Sequence, residues 1–102
     1  MTALTFNQQD NQVNLVGQLT RMHIDKAFEK KSYQLLKQEL LLLNFAQVSS
    51  VDTAGLAWLL MMIEKSIPNG CQLTIVNMPE KLIKLAKLTR VDNLIHQHSI
   101  TE

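Results

Sequence analysis

The residues with chemistry to offer gather in one short stretch, Ser49-Ser50-Val51-Asp52-Thr53-Ala54-Gly55-Leu56. It joins a very apolar run, Glu39-Leu40-Leu41-Leu42-Leu43-Asn44-Phe45, to a segment with helical character. A short polar loop between a buried strand and a helix is where open α/β folds expose their functional groups. The group exposed here would be the Thr53 hydroxyl, at the positive end of the helix. Asp52 or Thr53 also suits the helix cap, an effect of about 1 kcal/mol, and Gly55 lets another backbone approach closely.

Other reactive groups are dispersed. His23 stands alone, and His96 and His98 lie together near the C-terminus. Cys71 follows Gly70 and has no basic neighbour to activate it. Asp25 and Asp52 are separate acids without a companion base. His96-Gln97-His98 has no further ligand cluster around it, and no phosphate-cradling glycine loop is present. The expectation is a non-enzymatic protein with no catalytic residues, no metal and no cofactor.

A chain of 102 residues makes one domain, 1–102, with a modest core. A formal charge of +1 gives no electrostatic case for nucleic acid. One cysteine forms no internal disulfide, the N-terminus has no signal-like run, and no apolar stretch is long enough to span a membrane. These features predict a cytoplasmic location, with any membrane link made through a partner.

The elements that would hold the loop can be read from patterning. Residues 2–6 are strand-like, and Gln8-Gln9-Asp10-Asn11 is a turn cluster. Val13, Leu15 and Gly17 then alternate with Asn14, Val16 and Gln18, which completes an N-terminal hairpin. Thr20 is placed to cap a helix with an inner stripe of Ile24, Ala27, Phe28 and Leu35. The leucine run lacks alternation and reads as a central strand covered on both faces. A helix over 54–66 ends at Ile67-Pro68-Asn69-Gly70. Leu73-Thr74-Ile75-Val76 is a further strand, and Pro79-Glu80 opens a third helix. Residues 95–102 are expected to fray. The order β-β-α-β-α-β-α predicts an α/β domain, a mixed β-sheet with βα units after the hairpin and helices packed on it.

The second helix carries more apolar surface than one core face needs. Leu56, Leu59, Leu60 and Ile63 would face the sheet, while Ala54, Ala57, Trp58, Met61 and Met62 occupy a rotated face. Trp and Met are enriched at interfaces, so that second face is a candidate docking surface. The competing reading tucks Trp58 and Met62 against the first helix.

Val48-Ser49-Ser50-Val51-Asp52-Thr53-Ala54-Gly55-Leu56-Ala57, following a strand of aliphatics, resembles the STAS domain, the fold of sulfate transporters and anti-sigma factor antagonists. The resemblance runs from Val13 through Leu85-Ala86-Lys87-Leu88, and implies a STAS-like single domain. Within the family these stretches look most like the small cytoplasmic STAS subunit of the bacterial ABC complex that moves phospholipid between membranes. That implies docking on the ATPase subunit, and through it on the membrane permease, peripherally at the inner membrane. The resemblance places Thr53 at that contact, and the loop and outer helix face make Asp52, Thr53, Ala54, Gly55, Ala57, Trp58 and Met61 the expected partner-binding residues. Lys81, Lys84 and Lys87 recur on one side of the third helix, as a polar rim or, the favoured reading, as an ordinary solvated face. Antagonists of the family are phosphorylated on the residue before the glycine. Here that residue is Ala54, which has no hydroxyl, so phosphorylation is not expected there and Thr53 is a weak substitute. The alternatives are a signalling switch that binds a serine kinase, against which Ala54 counts, and a small-ligand sensor, which would need a sizeable pocket at the sheet's open edge.

Overall fold

The computed structural model of the chain describes residues 4–98. Strands β1 (Thr5–Gln9) and β2 (Gln12–Leu19) form the expected antiparallel hairpin. Asp10 takes the left-handed conformation that this tight turn requires (φ 54°). The chain then passes through helix α1 (Lys26–Leu35), strand β3 (Leu40–Val51), helix α2 (Thr53–Ser66) and strand β4 (Gln72–Val76). Helices α3 (Glu80–Leu88) and α4 (Asp92–His96) complete the described residues. The sheet order is β1-β2-β3-β4, with β2, β3 and β4 parallel. The molecule is thus a small α/β domain with a mixed four-stranded sheet.

Two successive crossovers, β2-α1-β3 and β3-α2-β4, step in the same direction across the sheet. Crossovers of one hand must then place both helices on the same face. That corrects the expectation of a central strand covered on both sides. Leu41, Leu43 and Phe45 are buried, whereas Leu42 and Asn44 between them are only half-buried and Leu40 is half exposed. The uncovered face carries amides in a ladder. Asn44 Nδ2 donates to Asn14 Oδ1 at 3.0 Å, and Asn77 Nδ2 donates to Asn44 Oδ1 at 2.9 Å. Strand β3 also runs on to Val51, well past the leucines, because its second half pairs with the end of β2 as Gly17↔Val48 and Leu19↔Val51.

The first helix starts later than expected. Asp25, not Thr20, caps α1 by accepting from Phe28 N at 2.8 Å. The Thr20 carbonyl instead closes a turn, accepting from His23 N and Ile24 N. That shift leaves Ala27 exposed, while Phe28, Ser32 and Leu35 turn inward.

The second helix packs through Trp58. Its ring lies against Phe28 (centroids 5.5 Å apart), and Nε1–H donates to Ser32 Oγ at 3.0 Å. Ser32 in turn donates to the Phe28 carbonyl at 2.7 Å. A buried polar chain is tolerated when each member has a partner, as here. Trp58 and Met62 are therefore core residues, 2% and 0% exposed, and Trp58 is corrected from a docking residue to the link between α1 and α2.

The C-terminal region is better ordered than expected. Ile95 is buried, and the His98 carbonyl accepts from Ile75 N at 2.7 Å along the outer edge of β4. Residues 95–98 thus lie against β4 and the core rather than as a free tail. Residues 99–102 of the expected tail, like residues 2 and 3 of the expected first strand, lie outside the described residues.

Emptying the Trp58 site should cost what burying a large aromatic normally provides. Trp58→Ala is expected to lower unfolding free energy by about 3–5 kcal/mol, a large share of a small domain's total. Urea denaturation measures it; a loss under about 1 kcal/mol would contradict this role for Trp58.

Candidate functional site

The loop between β3 and α2 is built around one carboxylate. Asp52 is extended (φ −129°) and caps α2, its Oδ1 accepting from Gly55 N at 3.1 Å. Its Oδ2 accepts from Arg21 N, at 3.0 Å, in the loop after β2. One side chain thus ties together two loops separated by 31 positions in sequence. Burial by itself would raise the Asp52 carboxyl. The backbone N–H groups of Arg21, Gly55 and Ala54 outweigh that effect and hold it below the usual carboxylate range.

Gly55 makes the second tie. A Cβ there would lie 2.3 Å from the Leu19 carbonyl oxygen and 2.8 Å from Val51 Cγ2. The first turn of α2 therefore rests directly on the ends of β2 and β3, an approach no larger residue permits.

Around these ties the sequence-derived residues divide. Thr53, Ala57 and Met61, spaced by one helical turn each, face solvent, and Ala54 is half-exposed beside them. Asp52 and Gly55 are positioning groups behind that ridge, and Trp58 lies in the core. At the far end of the ridge the Tyr33 hydroxyl reaches Met61 Sδ at 3.8 Å, and Lys65 Nζ lies 5.0 Å from the Tyr33 ring centroid. Lys81, Lys84 and Lys87 are exposed on α3, where Lys84 pairs with Glu80 at 3.4 Å.

Arg21 and Met22 were not singled out by sequence reasoning. Both are exposed, in the turn that Thr20 and His23 close through their backbones and through a Thr20 Oγ1–His23 Nδ1 contact of 3.1 Å. The signal in the sequence was slight: an apolar residue inside an otherwise polar turn.

The remaining reactive groups have local roles. Cys71 is buried, and that burial pushes its thiol up, away from the nucleophilic thiolate. His98 Nδ1 contacts the Leu73 carbonyl at 3.2 Å, and His96 is exposed on α4. A groove of ≈ 530 Å³ does run between β1 and α1, lined by Phe6, Gln8, Ala27, Lys30, Lys31, Gln34 and Leu35. A small-ligand sensor would need open space at this edge, and the groove provides some. Its polar side chains are all exposed, so none is held in place to orient a ligand.

Comparison with known proteins agrees with this architecture. The family model described as "Mlab, STAS domain" matches residues 2–96. Among curated proteins no relative matches. A crystal structure of a candidate anti-sigma factor antagonist from Thermotoga maritima is similar, with a TM-score of 0.69 and 20% identity over 90% of this chain and 82% of that one. The anti-sigma factor antagonist SpoIIAA in its unphosphorylated form is similar at a TM-score of 0.63 and 15% identity, covering 84% and 83% of the two chains. At these identities the likeness is one of fold.

The lowered Asp52 carboxyl has a consequence for stability. A depressed folded-state value stabilises above the unfolded value of about 3.9 and loses that contribution as pH falls through the folded one. Wild type should exceed Asp52→Ala by about 1 kcal/mol near neutrality, and the gap should narrow as pH falls below the unfolded carboxylate value. Urea titrations of both proteins from neutrality downward measure it. An advantage that stays constant would remove the carboxylate from this role.

Proposed function

This chain belongs to the STAS domain family of the Mlab type, and we propose that it is a non-enzymatic accessory subunit of a phospholipid ABC transporter. In this reading it docks on the ATPase subunit, an MlaF-like protein, and modulates that subunit's assembly or activity. Through the ATPase it sits peripherally against the membrane permease on the cytoplasmic side of the inner membrane. None of the described helices is long and apolar enough to cross a membrane itself.

The observation that carries this reading is the solvent-facing ridge of Thr53, Ala57 and Met61, with Ala54 beside it. Small side chains at the start of a helix let a partner's surface come close to the backbone, and Met61 adds a deformable apolar contact. Asp52 and Gly55 hold that ridge rigidly on the sheet. A pre-organised surface loses little conformational entropy on docking. Control of the ATPase then requires that its two states bind the ridge with different affinity.

The second reading is an anti-sigma factor antagonist that binds a serine kinase. Its support is the fold shared with such antagonists. Against it stands Ala54, which offers no hydroxyl next to Gly55.

Thr53→Glu introduces a charge into the ridge at a helix start, where acids are tolerated. It should reduce ATPase-subunit binding at least ~10-fold, about 1.4 kcal/mol, with an unchanged melting temperature. Affinity purification of the tagged wild-type chain, with Thr53→Glu in parallel, is the test. Recovery of a serine kinase and no ATPase would replace the first reading by the second.

A further inference from the structure

Among the described residues Met22 is the most exposed large apolar side chain, at 89%. Nothing in the fold uses it. The segment carrying it is nevertheless held firmly. Thr20 closes the turn beneath it through two backbone hydrogen bonds, of 2.9 and 3.0 Å, and Asp25 starts α1 immediately after. Its neighbour Arg21 gives its backbone N–H to Asp52 Oδ2, so the turn is fastened to the residue just before Thr53. An ordered turn that presents an unpacked methionine has made an apolar contact available at low entropic cost.

Arg21 adds a charge beside it. Its side chain is exposed, and among the described residues it makes no ion pair. Asp52 accepts only its backbone N–H, and both Asp52 oxygens are already engaged by backbone N–H groups. The guanidinium therefore remains available to a carboxylate from outside the chain.

We infer that the turn Thr20–His23 is a second limb of the docking surface, in which Met22 enters an apolar recess of the ATPase subunit and Arg21 pairs with an acidic residue at its rim. This rests on the accessory-subunit reading and adds to it the chemistry of the partner's face. The limb and the helix ridge meet at Asp52, so one partner surface spans both. An apolar contact buried at the centre of an interface acts mainly on the dissociation rate, whereas a rim charge acts mainly on the association rate and on its salt dependence.

The test uses the intact chain and the purified ATPase subunit from the same cells, with association and dissociation rates read at low and high salt. Met22→Ser should raise the dissociation rate ~10-fold or more, with the melting temperature unchanged. Arg21→Gln should slow association several-fold at low salt, and the difference from wild type should vanish at high salt. Ile67→Ser serves as the control. Ile67 is also strongly exposed (69%) but lies at the other end of α2, about 20 Å from Thr53 at 1.5 Å per residue. It should leave both rates unchanged. If wild type binds and Thr53→Glu does not, while Met22→Ser matches wild type, the second limb is wrong and the accessory-subunit reading stands. If wild type itself fails to bind the ATPase subunit, the reading fails and the limb with it.

Discussion

Both oxygens of the Asp52 carboxylate are taken by backbone N–H groups, one from its own helix at Gly55 and one from Arg21 in a distant loop. Much of this end of the molecule follows from that arrangement. The first bond caps α2 and decides where the helix begins. The second brings the turn after β2 to the same corner of the sheet. Each is an ordinary hydrogen bond to a charged acceptor, stronger than a neutral one. Their shared acceptor couples two segments that would otherwise be positioned independently. Gly55 completes the constraint by letting the helix start rest on the Leu19 carbonyl.

The outward face of α2 is chosen at its other contact. Fourteen residues of high apolar content leave two plausible orientations for this helix. Trp58 settles the choice, because its indole N–H needs a buried acceptor and Ser32 provides one. With Trp58 and Met62 turned inward, the helix shows solvent its smaller side chains, Thr53 and Ala57, with Met61 beyond them. A flat, rigid ridge of this kind suits close backbone approach by a partner better than a projecting aromatic would. The same logic separates Met22 from Trp58: one large apolar side chain is fully satisfied inside the protein and the other has no contact to make there.

One-sided coverage of the sheet is the third consequence of connectivity. Strands added in sequence order by crossovers of one hand place α1 and α2 together and leave the opposite face bare. Asn14, Asn44 and Asn77 meet there in a hydrogen-bonded row. Amides that satisfy one another across strands allow a sheet face to meet water without exposing a broad apolar surface.

Local patterning was sufficient for much of this. The hairpin came from alternation around a Gln8–Asn11 turn, the later strands and helices from apolar period, and the loop at Asp52 from its place between a strand and a helix. These features depend on neighbours within a few residues, which is the range over which a sequence is explicit. The same range explains the misreadings. Capping of α1 by Asp25 displaced Thr20, and the burial of Ile95 and pairing of His98 with β4 ordered a segment whose composition reads as a tail. What the chain alone determined, then, was its family, the order of its elements as far as α3 and the position of the loop. Only the tertiary structure decided which face of α2 is free and that Arg21 and Met22 share the corner with Thr53. Both depend on hydrogen bonds between residues 26 and 31 positions apart, Trp58 to Ser32 and Arg21 to Asp52, and no local period in a sequence records a contact of that length.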